Sequence, residues 1–129
     1  MSTRCQVIIK DNHNELWFYR HSDGYPEGTM PTLEKFLNYV KEGIIRDNVE
    51  QAGGWLILFG AMEYGINTEF VKGKWVDTPK TLDELFTPKG GISGWKCGAF
   101  EPSVPQEHGD IRYLYTIDLV KKTITHVQR

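Results

Sequence analysis

Two hydrophobic periods run through this chain, and their order restricts the possible folds more than any other feature. At the start Cys5, Val7 and Ile9 alternate with Arg4, Gln6 and Lys10, the period of two that a half-buried strand requires. Asp11-Asn12-His13-Asn14 supplies turn formers. Glu15-Leu16-Trp17-Phe18-Tyr19-Arg20-His21 follows, rich in the aromatic residues that strands favour, so residues 3–21 read as a β-hairpin. On its second strand Leu16, Phe18 and Arg20 share one face, and Trp17, Tyr19 and His21 the other.

The period then changes. Leu33, Phe36, Leu37, Val40 and Ile44 recur at steps of three and four, which predicts an amphipathic helix. Thr29 is its expected cap, with Pro31 in the first turn where a missing N–H leaves no bond unmade. Asp47 followed three residues on by Glu50 is a capping signal that opens a second helix through about Tyr64. Ala52, Trp55, Leu56, Phe59 and Met62 form its main stripe, and Ile57 and Leu58 carry apolar surface further round, so this helix is expected to be buried. Gly53, Gly54 and Gly60 each cost it up to about 1 kcal/mol of propensity. Close approach to another backbone would offset that cost; a ligand pocket lined by the Gly-Gly pair is the alternative.

Strand patterns return in the last third. Lys96–Phe100 is one candidate, Ile111–Leu119 a second with Ile111, Tyr113, Tyr115 and Ile117 on one face, and Thr123–Val127 a third. Val120-Lys121-Lys122 is short enough to join the last two as a hairpin. Strands, two helices, then strands, with no βαβ alternation, predict an α+β fold: an antiparallel sheet made of the N-terminal hairpin and the C-terminal strands, with two main helices packed on one face. At 129 residues the chain suits a single domain spanning 1–129. Between Gly65 and Gly94 the pattern is weaker. Phe70–Val76 reads as a short strand or an aromatic-bearing loop, Thr81–Phe86 as one or two helical turns, and Pro88–Gly94 as a loop.

Charge and composition exclude some functions. A formal charge of -2 with 25% charged residues lacks the basic excess of duplex nucleic-acid binders. The apolar run from Trp55 to Phe59 is far short of the ~20 residues that a membrane span needs. MSTRCQ lacks an apolar signal region, so a cytoplasmic location is expected. Cys5 and Cys97 do not suggest a disulfide scaffold and are expected to be reduced. His13, His21, His108 and His126 lack the short spacings of a zinc site, so neither a metal nor another cofactor is expected.

Several segments together resemble a family of small uncharacterised bacterial and phage proteins. They are Ser2-Thr3-Arg4, the strand ending Tyr19-Arg20-His21, the corner Asp23-Gly24-Tyr25-Pro26, the glycine-containing helix after it, and Gly109 to Tyr115. The resemblance spans most of the chain except Gly65–Gly94, and the DGYP corner is its most specific part. It implies no established activity. The phage association implies an accessory or counter-defence protein that binds a host protein or sequesters a host signalling molecule.

The residues themselves offer three kinds of chemistry. Arg20, His21, Asp23 and Tyr25 lie between a strand end and a helix start, where backbone N–H groups favour a small anionic or nucleotide-like ligand. DGYP also has the composition of a plain turn, in which Asp bonds the following backbone, Gly takes positive φ and Pro fixes the exit. Trp75 and Trp95, set among Lys72, Lys74 and Lys96, combine aromatic and cationic groups and are further ligand-binding candidates. His21 with Asp23, or His108 with Asp110, resembles a base with an orienting carboxylate, as a small hydrolase would use, although no nucleophile motif accompanies either pair. The leading expectation is therefore a non-enzymatic binding module for a small anionic or nucleotide-like ligand. An interaction module acting on a host protein or forming a homodimer comes second, and a hydrolase third.

Overall fold

The computed structural model describes residues 2–63, 66–79 and 99–129. Its elements are β1 (Cys5–Lys10), β2 (Glu15–Arg20), α1 (Pro26–Lys41), α2 (Val49–Met62), β3 (Ile66–Val71), β4 (Lys74–Pro79), β5 (Glu101–Ser103), β6 (Tyr113–Asp118) and β7 (Thr123–Gln128). Five strands form one sheet in the order β5-β2-β1-β6-β7, and β3 and β4 pair by themselves. The fold class is α+β, with both helices on one face of the larger sheet.

Both expected hairpins are present, with Val7 opposite Phe18 in the first and Thr116 opposite Thr125 in the second. One ladder departs from the antiparallel expectation: β6 runs parallel to β1, with Val7 beside Tyr115. The cause is the route of the chain. β5 pairs antiparallel with β2 on the outer side of the first hairpin, so β5 and β6 run in the same direction and flank that hairpin. Residues 104–112 must carry the chain back across the sheet between them, as parallel strands need a crossover.

The alternation in β1 and β2 decides the two faces. Cys5, Val7, Ile9 and Phe18 join Tyr115 and Ile117 beneath Leu33, Phe36 and Val40 of α1 and Val49, Ala52 and Leu56 of α2. On the opposite face Ile8, Tyr19, Ile111 and Leu114 form a smaller cluster with Trp17 packed against it. Ile111 thus lies on the side opposite Tyr115, contrary to the alternation expected for it, because β6 begins only at Tyr113.

Both helices differ from their predicted starts. α1 begins at Pro26, and Thr29 lies buried inside its first turn, where its hydroxyl donates to the Asp23 carbonyl at 2.6 Å. The α2 cap comes from the first hairpin and not from its own sequence: the Val49 N–H donates to Asp11 Oδ2 at 3.0 Å. Oδ1 of the same carboxylate takes the N–H groups of His13 and Asn14 at 2.7 and 2.8 Å. These three backbone donors, Val49 first, hold the Asp11 carboxyl below its ordinary value.

α2 is not buried all round. Val49, Ala52, Gly53, Leu56 and Gly60 face the sheet, whereas Trp55, Leu58 and Met62 are each more than two fifths exposed, at 43%, 43% and 42%. The glycines divide accordingly. A Cβ at Gly60 would lie 2.6 Å from the Phe100 ring, and one at Gly53 2.9 Å from Leu16, whereas Gly54 faces open space. Residues 70–76 form neither a lone strand nor a loop but the end of the β3–β4 hairpin, where Phe70 pairs with Trp75 across a Lys72-Gly73 turn. Trp95, Cys97 and the features expected over 81–94 and 96–98 lie outside the described residues. The short edge strand begins at Glu101, just after the strand predicted to end at Phe100.

Candidate functional site

The DGYP corner is tied into the start of β1. Asp23, not Gly24, takes the positive φ, at 58°. Gly24 is needed for a different reason: a Cβ there would lie 2.8 Å from the Cys5 Cβ and 2.9 Å from the Arg4 carbonyl carbon. Its N–H donates to the Thr3 carbonyl at 2.9 Å, and its carbonyl accepts the buried Tyr115 hydroxyl at 2.7 Å. Burial pushes the pKa of Tyr115 up, and that of the neighbouring Cys5 thiol up to about 12, which disfavours the thiolate that a nucleophile would need. At the helix start Pro26 has no N–H to offer, and the N–H groups of Gly28 and Thr29 both go to the Tyr25 carbonyl. Glu27 adds negative charge in the same turn.

The four corner candidates do not converge. Arg20 and His21, adjacent on the strand, point to opposite faces of the sheet. Arg20 is only 1% exposed on the helix side, where its two terminal nitrogens meet both carboxylate oxygens of Glu63 at 3.0 and 2.7 Å. Its Nε donates to the Ser22 carbonyl at 2.9 Å, and its guanidinium carbon lies 4.9 Å from the centre of the Phe100 ring. Asp23 and Tyr25 are both exposed at the corner, with a 3.4 Å contact from the Tyr25 hydroxyl to the Asp23 carboxylate. Trp75 lies on the separate β3–β4 hairpin, 72% exposed, with its ring 5.2 Å from that of Phe70.

The histidine candidates meet on one tyrosine instead. His108 stacks on Tyr19 at 4.5 Å between ring centres, and His21 meets the same ring edge-on at 4.8 Å. The Tyr19 hydroxyl donates to Asp110 at 2.8 Å, and Arg4 Nε lies 3.3 Å from the same carboxylate oxygen. Burial, then the Asp110 carboxylate, pushes the Tyr19 phenol up to about 12. Asp110 thus serves a tyrosine and an arginine. Beside it, fully buried Gln6 accepts the His108 N–H at 2.9 Å and donates to the Gln106 carbonyl at 3.0 Å, pinning residues 104–112 across the sheet.

A further candidate site lies between the helices, on the side away from the sheet. A cleft of about 530 Å³ runs there. Tyr39, Ile45, Trp55, Phe59 and Met62 make its walls, and Thr32, Lys35 and Glu63 supply its polar groups. Glu63 accepts the Thr32 hydroxyl at 2.6 Å while holding Arg20, so the pair marks one end of the cleft. Lys35 and Glu63 are the charged residues of the lining and balance each other, with Arg20 buried behind Glu63. The α2 residues of this cleft, Trp55, Phe59 and Met62, are expected from the sequence in the buried stripe of that helix and not at a site; Lys35 and Tyr39 carry no signal at all.

No protein-family model, curated protein or solved structure matches the chain. Among the described residues no helix is long and apolar enough to cross a membrane, and no three His, Cys, Asp or Glu side chains are grouped to hold a metal ion.

Proposed function

We propose that the protein is a non-enzymatic binding module whose α1–α2 cleft takes a small anionic ligand bearing a planar ring, nucleotide-like in outline. The observation that carries this reading is the cleft itself: aromatic walls and a few polar groups, a lysine among them, in a volume within the usual range for small-molecule sites. Trp55, Tyr39 and Phe59 offer ring faces and edges to a base, and Lys35 offers a cation to its phosphate. The site therefore moves from the DGYP corner to the outer side of the helix that the corner launches. A module of this kind suits an accessory protein that withholds a signalling molecule from its receptor.

Native mass spectrometry of the purified protein, before and after denaturation, tests for a resident ligand, and calorimetric titration with AMP and adenosine tests the chemistry. AMP is expected to bind, Trp55→Ala to abolish binding in a folded protein, and Lys35→Ala to weaken AMP about threefold to fivefold. A bare monomer that takes up neither compound would defeat the reading. A dimer, or a captured host protein, would favour an interaction module instead, for which Phe70 and Trp75, 63% and 72% exposed, are the motivating surface.

A further inference from the structure

Resting on that reading of the cleft, we infer that Arg20 is a second anion contact for the ligand, covered in the empty protein by the Glu63 carboxylate and uncovered by exchange. The Arg20 guanidinium is fixed independently of Glu63. Its Nε is held by the Ser22 carbonyl at 2.9 Å, its Nη2 lies 3.5 Å from the Gly28 carbonyl, and Phe100 packs against it. What Glu63 occupies is the edge formed by the two terminal nitrogens, at 3.0 and 2.7 Å, which receives two oxygens of a carboxylate or of a phosphate equally well.

Glu63 is the member of the pair that can leave. It is the C-terminal cap of α2, beyond the last helical residue, and its side chain is 27% exposed whereas that of Arg20 is 1% exposed. It also lines the cleft, so the space it vacates is continuous with the ligand's. A phosphate taking its place would keep the buried cation paired, as burial demands. The Thr32 hydroxyl, released from Glu63, would find a new acceptor in the same group. Exchange of one anion for another leaves the number of buried charges unchanged and returns the Glu63 carboxylate to water. The ring then lies against Trp55 and Phe59, with its phosphate between Lys35 and Arg20. Selectivity for a phosphorylated over an unphosphorylated ring follows from this arrangement.

Titration of the wild type and Glu63→Gln with AMP and adenosine tests the exchange. Removing the competing charge is expected to strengthen AMP binding about tenfold and leave adenosine within about twofold. In the wild type, nitrogen-edited NMR of the arginine side chains is expected to show the Arg20 resonances moving with AMP and remaining in place with adenosine, a readout that does not depend on the variant folding. If both compounds bind through Trp55 while the Arg20 resonances stay fixed with AMP, Arg20 is purely structural and the cleft reading survives. If neither compound binds, the exchange falls together with the cleft.

Discussion

On one side of the five-stranded sheet Cys5, Val7, Ile9, Phe18, Tyr115 and Ile117 meet two helices; on the other, Ile8, Tyr19 and Leu114 pack with Ile111 of a single strap of chain, residues 104–112. Each side also holds an arginine against a carboxylate. Arg20 and Glu63 are 1% and 27% exposed, Arg4 and Asp110 39% and 48%. In the first pair the arginine is buried and its partner, at the end of a packed helix, is partly exposed; in the second both members stay wet because the partner comes from a loop. A face closed by helices has a far side of its own, where two cylinders meet and leave a groove. On the strap side polar groups are used in holding the strap: Gln6 on His108 and Gln106, and Tyr19 on Asp110.

The largest predicted effect separates the two pairs. Arg20→Ala removes a fully buried side chain, leaving a cavity beside Phe100 and the Ser22 carbonyl without its donor, and is expected to cost about 2–5 kcal/mol in denaturant unfolding. Arg4→Ala is expected to cost at most about 1 kcal/mol, since exposed pairs are worth little. Equal losses would mean that the two sides are held alike. Next in size is Gln6→Leu, which leaves the His108 N–H and the Gln106 carbonyl without their partner on the sheet. Unfolding is expected to become easier by about 1–3 kcal/mol. Hydrogen exchange should rise across residues 104–110 while α1 and α2 stay protected; uniform loss of protection would show that the strap and the helices are not separate closures.

The sheet side was readable because alternation reports on neighbours in sequence, and for Cys5 to Ile9 and Leu16 to Arg20 those neighbours lie on one straight strand. The same signal failed at Ile111, where the strand had not yet begun. It also failed for Thr29 and Asp47, whose expected capping roles fell to Tyr25 and Asn48 at the cap positions and to the side chain of Asp11, a residue 38 positions from the N–H it binds. Arg20 was picked out as an anion contact from its type and its place at a strand end. That its anion is Glu63 depends on where α2 stops, and no local pattern carries that. The cleft was not legible for the same reason: Trp55 and Met62 were assigned to the buried stripe of α2, and their meeting with Tyr39 and Lys35 is a property of how two helices cross.

The smallest effects are set by pH, one in the alkaline range and one in acid. The Tyr19 phenol, raised from an ordinary value of 10.0 to about 12, contributes stability that is fully present below its unfolded value and lost as pH rises through the folded one. Tyr19→Phe should therefore flatten part of the alkaline loss, the remainder being shared by Tyr115 and the Cys5 thiol, both raised by burial on the helix side. Asp11 works in the opposite sense. Its carboxyl is held below 3.8 by the Val49 N–H first, so its contribution is present above the unfolded value and disappears as pH falls through the lower folded one. Asp11→Asn should remove that acid-dependent part of the stability, and the exchange protection that falls with it should be at the start of α2. If acid instead releases residues 104–112 first, the cap at Val49 is not what ties the first hairpin to the helix layer, and the separation of the two closures fails at its weakest link.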